Sequence, residues 1–74
     1  MNSIDLHGIS HYDISNRIDI FIWDNMKMNK DYVDIITGNS KRMISLVIKI
    51  IEEYKLNYQI GDTYNKGYIR VFLK

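Results

Sequence analysis

A chain of 74 residues without cysteine has room for one small domain, expected over residues 1–74, and excludes disulfide staples and thiolate metal sites. Its formal net charge of +1 excludes a strong global field for polyanions, so any polyanion site must be a local patch. No apolar run approaches the roughly 18 residues of a membrane span, and the start MNSIDLHG has neither the basic nor the apolar region of a signal peptide, so a cytoplasmic, non-membrane protein is expected.

The first element reads as a short strand, Ile4-Asp5-Leu6-His7, closed by Gly8. Alternate residues of a strand share a face, so Ile4 and Leu6 turn toward a core while Asp5 and His7 stand together on the other side. Gly8 allows a tight turn and a close approach of the backbone to a ligand. An imidazole is the side chain best suited to acid–base work near neutral pH, and a neighbouring carboxylate can orient it and stabilise its charged form. The structural alternative is a surface histidine at a turn, with the aspartate bonded to that turn.

Ser10-His11-Tyr12-Asp13 then reads as a variant capping box, with Ser10 as N-cap and Asp13 in place of the usual Glu or Gln. Ile14, Ile18, Phe21 and Ile22 recur at helical spacing and form a buried stripe, Arg17, Asp24 and Lys27 fall on solvent, and the helix fades near Met26 to Asn29. His11 reads as a surface residue and Trp23 as a packing residue.

Tyr32 to Thr37 is short, β-branched and bounded by polar residues and Gly38, which predicts a buried strand. Gly38-Asn39-Ser40 turns into a second helix, where Ile44, Val47, Ile48 and Ile51 keep helical period, Leu46, Ile50 and Tyr54 widen the apolar face, and Glu52, Glu53 and Lys55 close the element. Asn57 to Ile60 reads as a strand, Gly61 to Gly67 as a loop, and Tyr68 to Leu73 as a strand with Ile69, Val71 and Leu73 on one face. The order is βαβαββ. It predicts an α/β two-layer sandwich: parallel pairings with right-handed crossovers, a final hairpin, and a four-stranded mixed sheet with two helices on one face. Proline and alanine are absent while Ile, Asn, Lys, Tyr and Asp abound, the usage of an AT-rich coding sequence, viral or bacterial.

The turn Thr37-Gly38-Asn39-Ser40-Lys41-Arg42 is the second candidate cluster. A helix start offers unpaired N–H groups and a partial positive charge to an anion. Gly38 lets a phosphate approach the backbone, Ser40 can cap the helix or donate, and Arg42 can grip a phosphate with two parallel bonds. Lys41 and Arg42 read equally as solvated residues, although cations at a helix start oppose its dipole. In open α/β sheets ligands sit beyond the carboxyl ends of parallel strands, where this turn and His7-Gly8 both lie.

With both clusters in place, the chain resembles the small MutS-related (Smr) domain family over residues 3–74 in order and spacing. The family's Leu-Asp-Leu-His-Gly-like motif is matched by Ile4-Asp5-Leu6-His7-Gly8, its Thr-Gly-x-Gly motif by Thr37-Gly38-Asn39-Ser40, and its closing glycine and alternating strand by Gly67-Tyr68-Ile69-Arg70-Val71. Ser40 stands where the family has a second glycine, and Lys41-Arg42-Met43 follows where many members have a further glycine and later an arginine. The resemblance implies the fold shared with the C-terminal domain of translation initiation factor three, and nucleic-acid binding, often with endonuclease activity on RNA or on branched or nicked DNA. It implicates Asp5 and His7 in cleavage.

On RNA, His7 would deprotonate the 2′-hydroxyl or protonate the leaving 5′-oxygen. Asp5 would orient it, and Ser40 with Lys41 or Arg42 would stabilise the added charge on phosphorus. No cofactor is required on this route, and a divalent-ion route with Mg or Mn and Asp5 as a ligand stays open. The scattered Asp13, Asp19, Asp24, Asp31, Asp34 and Asp62 have no metal-ligand spacing, and there is no zinc motif. Lys66 and Arg70 extend the basic surface, and Tyr64 and Tyr68 either stack on bases or pack. Targeting rests on the domain itself or on a protein partner, and the pattern demands no particular oligomeric state. A non-catalytic binding module and a protein-interaction scaffold are the alternative functions.

Overall fold

Two serines start the two helices. In the computed structural model, which describes residues 2–74, Ser10 and Ser40 hold extended backbone and turn their hydroxyl oxygens onto first-turn amides of α1 (His11–Lys27) and α2 (Lys41–Glu53). Ser40 Oγ accepts from Met43 N at 3.2 Å. Ser10 Oγ accepts from Tyr12 N at 3.3 Å, and Asp13 makes no return bond to the Ser10 amide among the described residues. The expected capping box is therefore open, because aspartate is one methylene shorter than the glutamate that normally reaches back.

Ile14, Ile18 and Ile22 are buried as their spacing predicts, and Phe21 packs at the margin. The buried line continues into Asn25, which hydropathy does not flag. Its Nδ2 donates to the Phe21 carbonyl at 2.8 Å, and its Oδ1 has no hydrogen-bond partner among the described residues. In α2 the buried line is Met43, Val47, Ile50 and Ile51, rotated from the expected Ile44, Val47, Ile48 and Ile51. Apolar residues cover so much of this helix that the pattern defines its period but not its phase. Packing sets the phase, leaving Ile44 and Ile48 half-buried.

The strands β1 (Ser3–Asp5), β2 (Tyr32–Ile36), β3 (Asn57–Ile60) and β4 (Tyr68–Phe72) form one mixed sheet in the order β1-β2-β4-β3. β1 lies parallel to β2, with Ile4 opposite Ile35 and Asp5 opposite Ile36. β4 is antiparallel to β2 on one side and to β3 on the other. The element order, the mixed four-stranded sheet and the two helices on one face are those expected. One detail is corrected: the second strand–helix unit makes no parallel pair, because β4 inserts between β2 and β3 in a split βαβ arrangement. The reason lies in the side chains. β4 buries Ile69 and Val71 completely and takes a central place, whereas β3, with exposed Asn57, Gln59 and Ile60, suits an edge.

Val33, Ile35, Ile69 and Val71 share one sheet face and pack with the buried residues of both helices, and Leu6 joins the same core. Full burial of each such side chain stabilises by about 1.5–3 kcal/mol. The opposite face carries a polar row, Ser3, Asp34, Arg70 and Gln59, aligned across all four strands. Asp34 accepts twice from Arg70, at 2.8 and 3.1 Å, and the guanidinium lies 4.2 Å from the Tyr32 ring centroid. The bond from Asp34 raises the pKa of Arg70 further above its ordinary value.

Between the helices, the Tyr54 hydroxyl donates to Asp19. Burial first, and then the Asp19 bond and charge, push the phenol up to about 12. Because the folded value exceeds the ordinary 10.0, the stability this phenol contributes is whole below pH 10.0 and is lost as pH rises toward 12. Denaturant titrations are expected to show the advantage of the native chain over Tyr54→Phe shrinking across that window and constant at lower pH. Asn25→Leu, which removes the unpaired buried oxygen, is expected to raise unfolding stability by about 1 kcal/mol in the same measurement.

Candidate functional site

Three connections meet at one edge of the sheet. β1 and β2 are parallel neighbours, so the turns that follow them leave the same edge, and antiparallel β4 begins there, with Tyr68 opposite Ile36. Leu6 N–H donates to the Ile36 carbonyl at 2.8 Å and prolongs the pairing beyond β1. A turn then closes from Ile9 N–H to the Leu6 carbonyl at 3.0 Å. Gly8 occupies its third position at φ +79°, a conformation that glycine adopts without steric cost.

His7 is consequently not on the strand, as alternation predicts, but on this turn, and its side chain is exposed. Asp5 ends β1, and its Oδ1 accepts the His7 backbone N–H at 2.9 Å. Among the described residues no hydrogen bond joins the Asp5 carboxylate to the His7 imidazole. The strand stops one pleat too early to align the two side chains. Asp5 shapes the turn that presents the imidazole.

The second connection is tied down by a single acceptor. The Gly67 carbonyl receives the Thr37 N–H at 2.9 Å and the Gly38 N–H at 3.0 Å. The Thr37 hydroxyl lies 2.9 Å from the Gly38 carbonyl and 3.3 Å from that of Gly67. Thr37 is 2% exposed, so this expected phosphate contact is engaged in building the loop. Gly38 supplies conformation and room instead of a free amide. Its φ is +66°, and a Cβ there would stand 3.5 Å from His7 Cδ2, which places the imidazole alongside the start of the β2–α2 turn.

Asn39 and Ser40 are exposed at the tip of that turn. Ser40 has φ −72° and ψ 112°, ordinary extended backbone, so serine at this position needs no left-handed conformation. Met43 N–H bonds Ser40 Oγ and Ile44 N–H bonds the Ser40 carbonyl, which leaves the amides of Lys41 and Arg42 as the open donors at the start of α2. Neither side chain pairs with a carboxylate among the described residues. Arg42 leans toward α1 and lines an open cavity of about 610 Å³ with Ser10, His11, Tyr12 and Leu46. His11, read from sequence as a surface residue, and Tyr12 line this cavity without a motif to mark them. Their signal was positional: they follow the N-cap that succeeds the His7-Gly8 turn.

In the third connection, Asp62 Oδ1 accepts from Tyr64 N at 2.8 Å and Asn65 N at 2.7 Å, and Asn65 Oδ1 accepts from Gly67 N at 2.8 Å. The Asn65 and Tyr64 amides hold the Asp62 carboxyl below its usual range. The Tyr68 hydroxyl donates to Asp62 Oδ2 at 3.2 Å, and burial first and then this bond raise its pKa. Tyr64 is fully exposed at the loop tip, and Trp23 is exposed on α1. Arg70, expected to extend a basic surface, is neutralised by Asp34 on the open sheet face. Among the described residues no group of three or more His, Asp or Glu side chains is placed to hold a metal ion, and no helix is long and apolar enough to cross a membrane.

No described protein family matches the chain by sequence, and no curated protein does. A solved structure does match: the solution structure of the SMR domain of NEDD4-binding protein 2, with a TM-score of 0.79 over 100% of this chain and 86% of that one, at 23% sequence identity. The chain has the Smr fold.

Gly38→Ala separates conformation from contact. The nearest side-chain atom is at ordinary van der Waals distance, so the loss comes from the left-handed backbone and is expected at about 1–2 kcal/mol in denaturant unfolding. Ser40→Gly, which keeps a tolerated N-cap, is expected to cost only a few tenths of a kcal/mol.

Proposed function

We propose that residues 1–74 form one Smr-like domain that binds nucleic acid and cleaves its phosphodiester backbone, with RNA preferred over branched or nicked DNA. The observation that carries this is the placement of the exposed His7 imidazole beside Gly38, next to the open amides of α2, in a chain with the Smr fold. A phosphate at this edge would accept from the Lys41 and Arg42 amides and from the Lys41 side chain, with Asn39 and Ser40 at the rim. Those donors stabilise charge that grows on the phosphoryl oxygens. His7 moves the proton, from an attacking 2′-hydroxyl or to the leaving 5′-oxygen. Asp5 is a positioning residue, since its carboxylate holds the turn through the His7 amide. A divalent cation, Mg or Mn, with the remaining Asp5 oxygen as one ligand, is the other route to the same chemistry. Action in the cytoplasm, with targeting by the domain itself or by a protein partner, completes the proposal.

One observation favours a second reading, a nucleic-acid-binding module without catalysis: among the described residues no carboxylate hydrogen-bonds the His7 ring, and Asp5 bonds the His7 amide instead. A single assay separates the two. End-labelled single-stranded RNA, structured RNA and branched DNA are incubated with the chain or with His7→Ala, each with magnesium, manganese or chelator. His7→Ala is expected to lower cleavage by at least about 100-fold while leaving affinity within about twofold. Full cleavage by that variant overturns the role of His7, and binding without cleavage by the parent under every condition establishes the non-catalytic module.

A further inference from the structure

Building on the nucleic-acid reading above, we propose that the cavity between the first turns of α1 and α2 is a subsite for one unstacked nucleotide, so that the substrate class is nucleic acid single-stranded beside the bound phosphate. The cavity measures about 610 Å³, within the range of small-ligand sites, and combines the two chemistries a nucleotide needs. Arg42 supplies a guanidinium with no carboxylate partner among the described residues, a fork that matches phosphate oxygens. Tyr12, at the rim, is 96% exposed, with its ring free to stack on a base. Leu46 gives an apolar wall, and His11 and Ser10 offer polar atoms at the base edge.

Charge favours this occupant here over other places on the surface. Among the described residues no carboxylate lines this cavity. Three other surface cavities each carry one or more: Asp19 and Glu53 between the helices, Asp34 on the open sheet face, and Asp24 beside Arg17 on α1. Position agrees. Ser10 follows His7 by three residues, and Arg42 follows Ser40 by two, so the cavity adjoins the edge where the scissile phosphate is proposed to sit. A base inside a duplex is stacked on both sides and cannot offer a face to Tyr12 without leaving the helix. A single-stranded segment presents one at no such cost.

The test uses the full chain and a fluorescein-labelled single-stranded RNA ten-mer, a blunt RNA duplex of the same sequence, and a set of ten-mers each carrying one abasic position. Affinity is read by anisotropy over a series of salt concentrations. Tyr12→Ala is expected to weaken single-strand binding about tenfold and Tyr12→Phe to leave it unchanged, since the ring and not the hydroxyl stacks. Arg42→Ala is expected to weaken it about tenfold and to lower the salt dependence by about one phosphate contact. One abasic position is expected to reproduce the Tyr12→Ala loss in the parent and to have no further effect in that variant. The duplex is expected to bind the parent and Tyr12→Ala alike. Because Tyr12 is so exposed, the variant keeps its fold, which far-ultraviolet circular dichroism verifies. Parent binding that Tyr12→Ala leaves unchanged, or an equal loss on the duplex, overturns the subsite and leaves the nucleic-acid reading standing. No binding of any probe by the parent overturns both.

Discussion

The candidate site depends on one carbonyl. Gly67 precedes β4, and its oxygen gathers the amides of Thr37 and Gly38 and lies within reach of the Thr37 hydroxyl. The Thr37 amide belongs to a buried residue, and left without a partner it would cost about 1–3 kcal/mol. Joining both amides to Gly67 fixes the β2–α2 turn against the hairpin loop. Gly38 then stands where His7 can lie against it, and α2 starts where its open amides face the same edge.

That carbonyl is available only because β4 sits beside β2. Had β3 paired directly with β2, as two plain βαβ units would have it, the hairpin loop would lie one strand further away. The split arrangement brings a third connection to an edge that parallel pairing alone would furnish with two. It also aligns Asp34 and Arg70 across the open face, where they neutralise one another over Tyr32. Lys41 and Arg42, which have no carboxylate partner among the described residues, are left at the loop edge and in the cavity beside it, so a chain with almost no net charge still presents local positive charge there.

The same geometry divides the residues of the two motifs into builders and presenters. Asp5, Thr37 and Gly38 engage their polar groups within the protein and shape turns, and Ser40 spends its hydroxyl and carbonyl oxygens on capping α2. His7, Asn39, Lys41 and Arg42 are exposed by those turns. A motif read as a set of ligands is therefore partly a set of supports. The side chains and amides that the supports leave open are the ones to which the proposed chemistry is assigned.

Local pattern was enough for much of this molecule. Element order and type, the inward faces of β2 and β4, the α1 stripe and both serine caps follow from periodicity and capping chemistry, which act within a few residues of chain. The convergence of His7-Gly8 with Gly38 followed from the rule that parallel neighbours end at one edge. Tertiary structure decided what local pattern leaves open. The phase of α2 was undetermined because its apolar residues cover most of its surface, and packing chose Met43 over Ile44 for burial. The place of β4 came from competition between two strands for the core, which no window along the chain can weigh. The engagement of Asp5 with an amide came from the early end of β1, and the meeting of Arg42 with Tyr12 came from the approach of two helices 30 positions apart in sequence. Short-range sterics and hydrogen bonds along the chain specified the pieces and their order. Contacts between distant residues, which exist only once the core has formed, specified which pieces face one another.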